Sequence, residues 1–198
     1  RWAKISQSSE NLDRIKLLSR LELSKEQAER ALGISAAKTL ENPYTLFEVD
    51  RASMDPISFG TVDRGLYPGM EVAIAHPLPA SCNDSLAEYD NEFRLRAACA
   101  HILEKSASEG HTLLPIDRLG EAVAELSVVH PVPLDEETID ICRDDFVPIV
   151  TVNGDGEAMT VQLERYVAST GLIGKAVSDR LNATTNNSKV DWRGLVDD

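Results

Sequence analysis

Apolar positions recur at helical spacing through most of this chain. Leu12, Ile15, Leu18 and Leu21 line one face of a first amphipathic helix. Ser24-Lys25-Glu26-Gln27 reads as a capping box opening a second helix that Gly33 ends. Ser35 is placed to cap a short third helix, Ala36 to Glu41. Asn42 is predicted to cap a fourth, with Pro43 at its first position and Tyr44, Leu46 and Phe47 as core residues. After a loop containing Met54-Asp55-Pro56, Ser58 caps another short helix bearing Phe59, Val62 and Leu66. The segment 68–90 is broken by Pro68, Pro77 and Pro79 and reads as a linker or long loop.

The longest pattern follows. Leu95, Ala98, Cys99, Ile102 and Leu103 predict a helix over Asn91 to Glu109, and Gly110 sits where a left-handed C-cap is wanted. His111 to Leu114 is short and β-prone, and Pro115 can open the next helix at its first position. Ile116, Leu119, Val123 and Leu126 predict a helix near 116–127. Asp135 caps another, with Ile139 and Cys142 facing inward. Val147 to Val152 and Glu157 to Leu163 flank the turn Asn153-Gly-Asp-Gly156, the strongest hairpin signal in the chain. A last helix, about 163–182, carries Leu163, Tyr166, Val167, Ile173, Val177 and Leu181.

These elements predict a mostly α, α+β chain. Residues 1–70 form a helical-hairpin region, 71–90 a linker, 91–163 a second domain, 164–182 a C-terminal helix and 183–198 a further linker. From residue 91 the order is helix, short strand, helix, helix, hairpin. That is the order of a winged-helix domain, with 135–145 in the recognition-helix position and 147–163 as the wing.

Composition narrows the function classes. The 198 residues are 42% hydrophobic and only 5% aromatic, so aliphatics and alanine must fill the cores. No window is apolar enough to span a membrane. The N-terminus lacks both an initiator Met and a signal-peptide h-region, and reads as cut from a longer protein. Cys82, Cys99 and Cys142 are far apart and form no CxxC, so a zinc site is not expected. Cys99 and Cys142, on predicted apolar helix faces, are expected instead as buried thiols in a reducing compartment, the cytoplasm. Asn182 and Asn186 open sequons that matter only in a secreted protein.

The net charge of −13 is uneven: residues 1–51 carry a net +1 and the rest a net −14. Nucleic-acid affinity rests largely on neutralising phosphates. Any DNA contact is therefore expected near the N-terminus, or to be weak.

Three motifs carry a family resemblance. Asn42-Pro-Tyr-Thr-Leu46 is followed by a helical hairpin, then by Arg94-Leu-Arg-Ala-Ala98, which runs into Gly110-His-Thr-Leu-Leu-Pro115. Over roughly residues 10 to 182 this resembles the N-terminal accessory region of RecD-like DNA helicases, the exodeoxyribonuclease V α-subunit type. The resemblance implies a superfamily-one motor that moves 5′→3′ on single-stranded DNA. ATP and Mg would belong to motor domains beyond this chain, and no cofactor to this fragment. The implied partners are the protein's own motor domains, single-stranded DNA and other repair proteins, with no membrane.

The chain departs from the pattern in places. A helix-hairpin-helix offers backbone N–H groups to phosphate from a Gly-h-Gly turn. Here the turns are Leu21-Glu-Leu-Ser24 and Asp55-Pro-Ile-Ser58, without the glycines and with acids. The recognition-helix position holds Asp135, Glu136, Glu137, Asp140, Asp144 and Asp145 against Arg143 alone. Packing against protein is expected of it, not duplex reading.

Other candidate chemistry is thin. Gly171-Leu-Ile-Gly-Lys-Ala176 imitates a phosphate loop, but Ser169 and Ala176 stand where the motif needs Gly and Ser or Thr. His111, His76, His130 and His101 have no ligand cluster around them, and no nucleophile triad stands out. The expected function is a non-catalytic accessory region bracing the motor. Arg20, Lys25 and Arg64, beside the hairpin turns, are its candidate nucleic-acid contacts, and there is no catalytic or metal residue. The alternative is an acidic protein-interaction module that docks a basic partner without binding DNA.

Overall fold

The computed structural model describes residues 8–182. The N-terminal half is a succession of short helices: α1 Ser9–Leu18, α2 Lys25–Gly33, α3 Ala36–Glu41, α4 Thr45–Asp50, α5 Phe59–Leu66 and α6 Met70–Ala75. Local chemistry explains most of the boundaries. Ser8 caps α1, and the Ser24–Gln27 capping box is present in both directions at α2. Ser58 Oγ accepts from the Thr61 N–H at the start of α5.

Asn42 acts differently from its predicted role. Its Oδ1 accepts from the Tyr44 N–H, an Asx turn, and α4 begins only at Thr45. The side chain competes for the first backbone donor, so Pro43 stays in the turn. The stretch expected as a linker holds α6 and a 3₁₀ turn, Asp84–Ala87, whose Leu86 is buried.

The C-terminal half runs α7 Glu92–Ser108, β1 Leu113–Pro115, α8 Ile116–Ala124, α9 Glu136–Ile141, a 3₁₀ turn Arg143–Phe146, β2 Val150–Asn153, β3 Thr160–Leu163 and α10 Glu164–Asn182. Asn91 caps α7 through the Arg94 N–H. At its other end Gly110 has φ +97°, and the Gly110 and His111 N–H groups return to the Ala107 and Ser106 carbonyls. That pair of bonds is a Schellman cap, and its left-handed residue is the reason for glycine. Pro115 occupies the N-cap of α8, one position earlier than predicted.

The three strands form one antiparallel sheet in the order β1-β3-β2. Leu114 faces Val161 across β1 and β3, and Val152 faces Val161 across β2 and β3. The protein is thus mostly helical with a small three-stranded sheet.

One buried cluster runs from Leu17 in α1 through Tyr44, Phe59 and α7 to Val161 and Leu163 in β3. The helix α7 is its axis: Leu95, Ala97, Ala98, Cys99, Ala100, Ile102 and Leu103 are all buried. The last helix breaks the pattern. It buries none of its residues, and Leu172, Ile173, Val177 and Leu181 are exposed. Of the apolar face expected from periodicity, Leu163 ends β3 and Tyr166 packs partly against the core, while among the described residues nothing covers Ile173, Val177 and Leu181. No helix of the described residues is long and apolar enough to cross a membrane.

Candidate nucleic-acid interface

Two of the three resemblance motifs meet in the interior, while Gly110 to Pro115 lies largely exposed beyond the C-terminal end of α7. Tyr44 Oη donates to Asp63 Oδ1 at 2.6 Å. Arg94 grips the same carboxylate from α7, Nε to Oδ1 at 2.8 Å and Nη2 to Oδ2 at 3.1 Å, and both side chains are 0% exposed. The remaining Arg94 donors reach the carbonyls of Tyr89, Pro131 and His130. All five guanidinium N–H groups therefore have a partner, which a buried charge requires. Tyr67 lies under the guanidinium at 4.6 Å, and Asn91 Nδ2 donates to its hydroxyl.

Burial opposes the Arg94 charge, but the Asp63 hydrogen bonds and charge outweigh it and hold the guanidinium above its ordinary value. Tyr44 is pushed well up by burial and by the Asp63 charge. Two residues on, Arg96 forks onto Glu48 at 2.7 and 3.1 Å and donates to the Asp145 carbonyl. Both arginines of the Arg94-Leu-Arg96 motif thus clamp α7 to carboxylates of α4 and α5. The Arg94–Asp63 pair is closed to solvent, and the Arg96–Glu48 pair is nearly so.

The predicted contact residues divide. Arg20 and Arg64 line one pocket of about 650 Å³ together with Lys16, Glu22 and His76. Lys25 does not line it; its side chain is 81% exposed and lies 4.0 Å from Glu29. The pocket exists because Gly65 lets α5 close on the turn after α1. A Cβ there would stand 2.1 Å from Leu21 Cδ2 and 3.1 Å from the Arg20 carbonyl oxygen.

Arg20 holds the pocket together. Its Nε donates to the Gly65 carbonyl at 2.8 Å, and its Nη1 donates to the His76 carbonyl at the end of α6. Burial pulls its pKa down, opposed by nearby Cys82. Arg64, exposed in the last turn of α5, has no ion-pair partner among the described residues. Lys16 is held by Asp13 at 2.8 Å. Neither Lys16 nor His76 is among the contacts expected from the sequence, because neither stands beside a hairpin turn.

The face expected to be wrong for DNA is acidic in three dimensions as well. Glu136, Glu137, Asp140 and Asp155 surround a hollow of about 430 Å³. Its nearby cation is already engaged: Arg143 Nη2 donates to Asp140, to the Gly154 carbonyl and to Asp155. Those bonds tie the β2–β3 turn to α9.

The remaining candidates are structural. Gly171 to Ala176 lies inside α10, without the strand-loop-helix setting of a phosphate loop. His101 stacks on Phe59 with ring centroids 5.7 Å apart, and burial, with help from Lys105, lowers its pKa. Cys99 is buried and its thiol pKa is pushed far up by burial, while Cys82 is pushed up to about 11 for the same reason. Burial thus favours the neutral thiol at both positions, and the thiolate is the reactive form. Among the described residues, no group of three or more His, Cys, Asp or Glu side chains could hold a metal ion. Compared with protein-family models, curated proteins and solved structures, the chain matches none.

Proposed function

We propose that this chain is the non-catalytic accessory region of a RecD-like DNA helicase. It braces the ATPase motor and contacts single-stranded DNA at the end of its first helical hairpin. ATP and Mg serve the motor domains, outside this chain. Residues 91–163 act in this reading as a winged-helix-like unit, supported by the element order and by the β1-β3-β2 sheet. Its acidic helix packs against protein.

The observation that carries the DNA contact is the pocket, where Lys16, Arg20 and Arg64 gather with Glu22 in the lining and Asp13 paired to Lys16, in a chain of net charge −13. The buried Tyr44–Asp63–Arg94 joint supports the bracing role, because it fixes α7 to the N-terminal helices with every donor satisfied.

Fluorescence anisotropy of a 3′-labelled oligothymidylate tests the reading. Neutralising two or three phosphates gives a single-strand salt slope near −0.7 per contact, so raising NaCl from about 50 to about 200 mM should weaken binding roughly tenfold. Absence of binding at the lower salt would favour the second reading. In that reading the hollow ringed by Glu136, Glu137, Asp140 and Asp155 docks a basic protein partner.

A further inference from the structure

The pocket beside Arg20 has two unlike walls. One is cationic: Lys16 from α1, Arg20 from the turn and Arg64 from α5. The other is apolar, made by Pro68, Val72 and Pro77 around α6. This second wall is bare, since α6 buries none of its residues and Val72 is half exposed. A stripe of phosphate contacts along a strand would need only the first wall. A concave site of about 650 Å³ with an apolar side has the size and make-up of a small-molecule pocket.

The cations differ in what they have to offer. Two of the Arg20 nitrogens are committed to the carbonyls of Gly65 and His76, which leaves Nη2. Arg64 has its whole fork available among the described residues. Its guanidinium lies back along α5, with Nη1 only 3.2 Å from where a Cβ on Gly60 would be. Lys16 is already paired with Asp13, so two guanidinium edges beside one Glu22 remain as the main donors, and they favour an anion with several acceptor oxygens. A phosphate monoester carries about −1.5 to −2 near pH 7, whereas an internal diester carries one. Forked N–H donors also match its oxygens.

We infer that this pocket takes a single nucleotide bearing a phosphate monoester. The phosphate meets Arg64, Lys16 and the open edge of Arg20; the sugar and base cover Val72, Pro68 and Pro77. The ligand is the 5′-phosphorylated end of a DNA strand or a free mononucleotide. The choice of a nucleotide over other phosphomonoesters rests on the proposed DNA contact.

Anisotropy and calorimetry test this on the full chain. Two 3′-labelled oligothymidylates, one with a 5′-phosphate and one with a 5′-hydroxyl, are titrated beside unlabelled thymidine 5′-monophosphate and thymidine. A strand end as ligand gives at least tenfold tighter binding of the 5′-phosphorylated oligomer, and Arg64→Gln erases that difference without moving the unfolding midpoint. A free nucleotide as ligand gives saturable heat with the monophosphate, none with thymidine and none with Arg64→Gln, whether or not any oligomer binds. Salt-dependent binding that is equal for both oligomers, with no heat from the monophosphate, overturns the pocket while leaving the DNA contact standing. Heat from the monophosphate with no oligomer binding does the reverse.

Discussion

Asp63→Ala is the perturbation that strikes the joint between the motifs. In the native protein the carboxylate accepts two bonds from Arg94 and one from Tyr44, with no solvent access to either member of the ion pair. Removing it leaves a guanidinium buried with only the carbonyls of Tyr89, His130 and Pro131. Breaking one side of a buried pair costs about 3–5 kcal/mol. The Tyr44 hydroxyl, also buried, loses its acceptor, which adds about 1–3 kcal/mol where it finds no other. A total loss of about 4–8 kcal/mol is a large share of the roughly 5–15 kcal/mol that domains possess. With a urea slope of about 2 kcal/mol per molar, the unfolding midpoint should fall by about 2 M or more. Replacing both partners, Asp63→Leu with Arg94→Met, should not restore the native midpoint, because three carbonyls then lose their donors. A midpoint shift for Asp63→Ala below about 0.5 M, the size expected of a surface pair, would refute the reasoning.

Other outcomes follow from the same geometry. Gly65→Ala drives a Cβ into Leu21 and should cost about 1–3 kcal/mol by overpacking; oligothymidylate affinity should fall with it, since the clash sits in the pocket wall. Gly110→Ala meets no neighbour within 4 Å, so only its φ of +97° is penalised, and the midpoint loss should correspond to about 1–2 kcal/mol. His101 has a folded pKa lowered from 6.5, so the unfolded chain binds its proton more readily. Stability from this group is complete above about pH 6.5 and is lost as pH falls from there through the lowered value. Urea midpoints at about pH 7.5 and 5.5 should show that fall, and His101→Phe should reduce it.

Local rules made much of the fold legible. The spacing of Leu95, Ala98, Cys99, Ile102 and Leu103 located α7, and Gly110 ended it. The Ser24–Gln27 box started α2 where expected, and the Gly-rich turn separated β2 from β3. Each is decided within a few residues. Asn42 shows the limit of such rules, since an Asn before Pro can cap a helix or close an Asx turn, and only the helix start at Thr45 distinguishes them. The Arg94–Asp63 pair spans 31 positions and has no local signature; an arginine beside Leu95 on an otherwise apolar face was the available hint.

The pocket was half legible. Proximity to a hairpin turn selected Arg20, Lys25 and Arg64 alike. What separates them is the missing Cβ of Gly65, which brings α5 onto Arg20 and leaves Lys25 outside. Lys16 and the α6 wall enter through tertiary packing alone. The exposed stripe of α10 is the converse case: a period marks a face, and burial needs something to lie on it.

Charge reversal at the pocket tests the central claim most directly. Arg64→Glu and Arg118→Glu change the net charge equally at exposed sites, but only Arg64 lines the pocket. The affinity of a 3′-labelled oligothymidylate at about 50 mM NaCl should drop at least tenfold with Arg64→Glu and little with Arg118→Glu. Equal losses in the two variants, or no loss in either, would contradict a DNA contact at the end of the first helical hairpin.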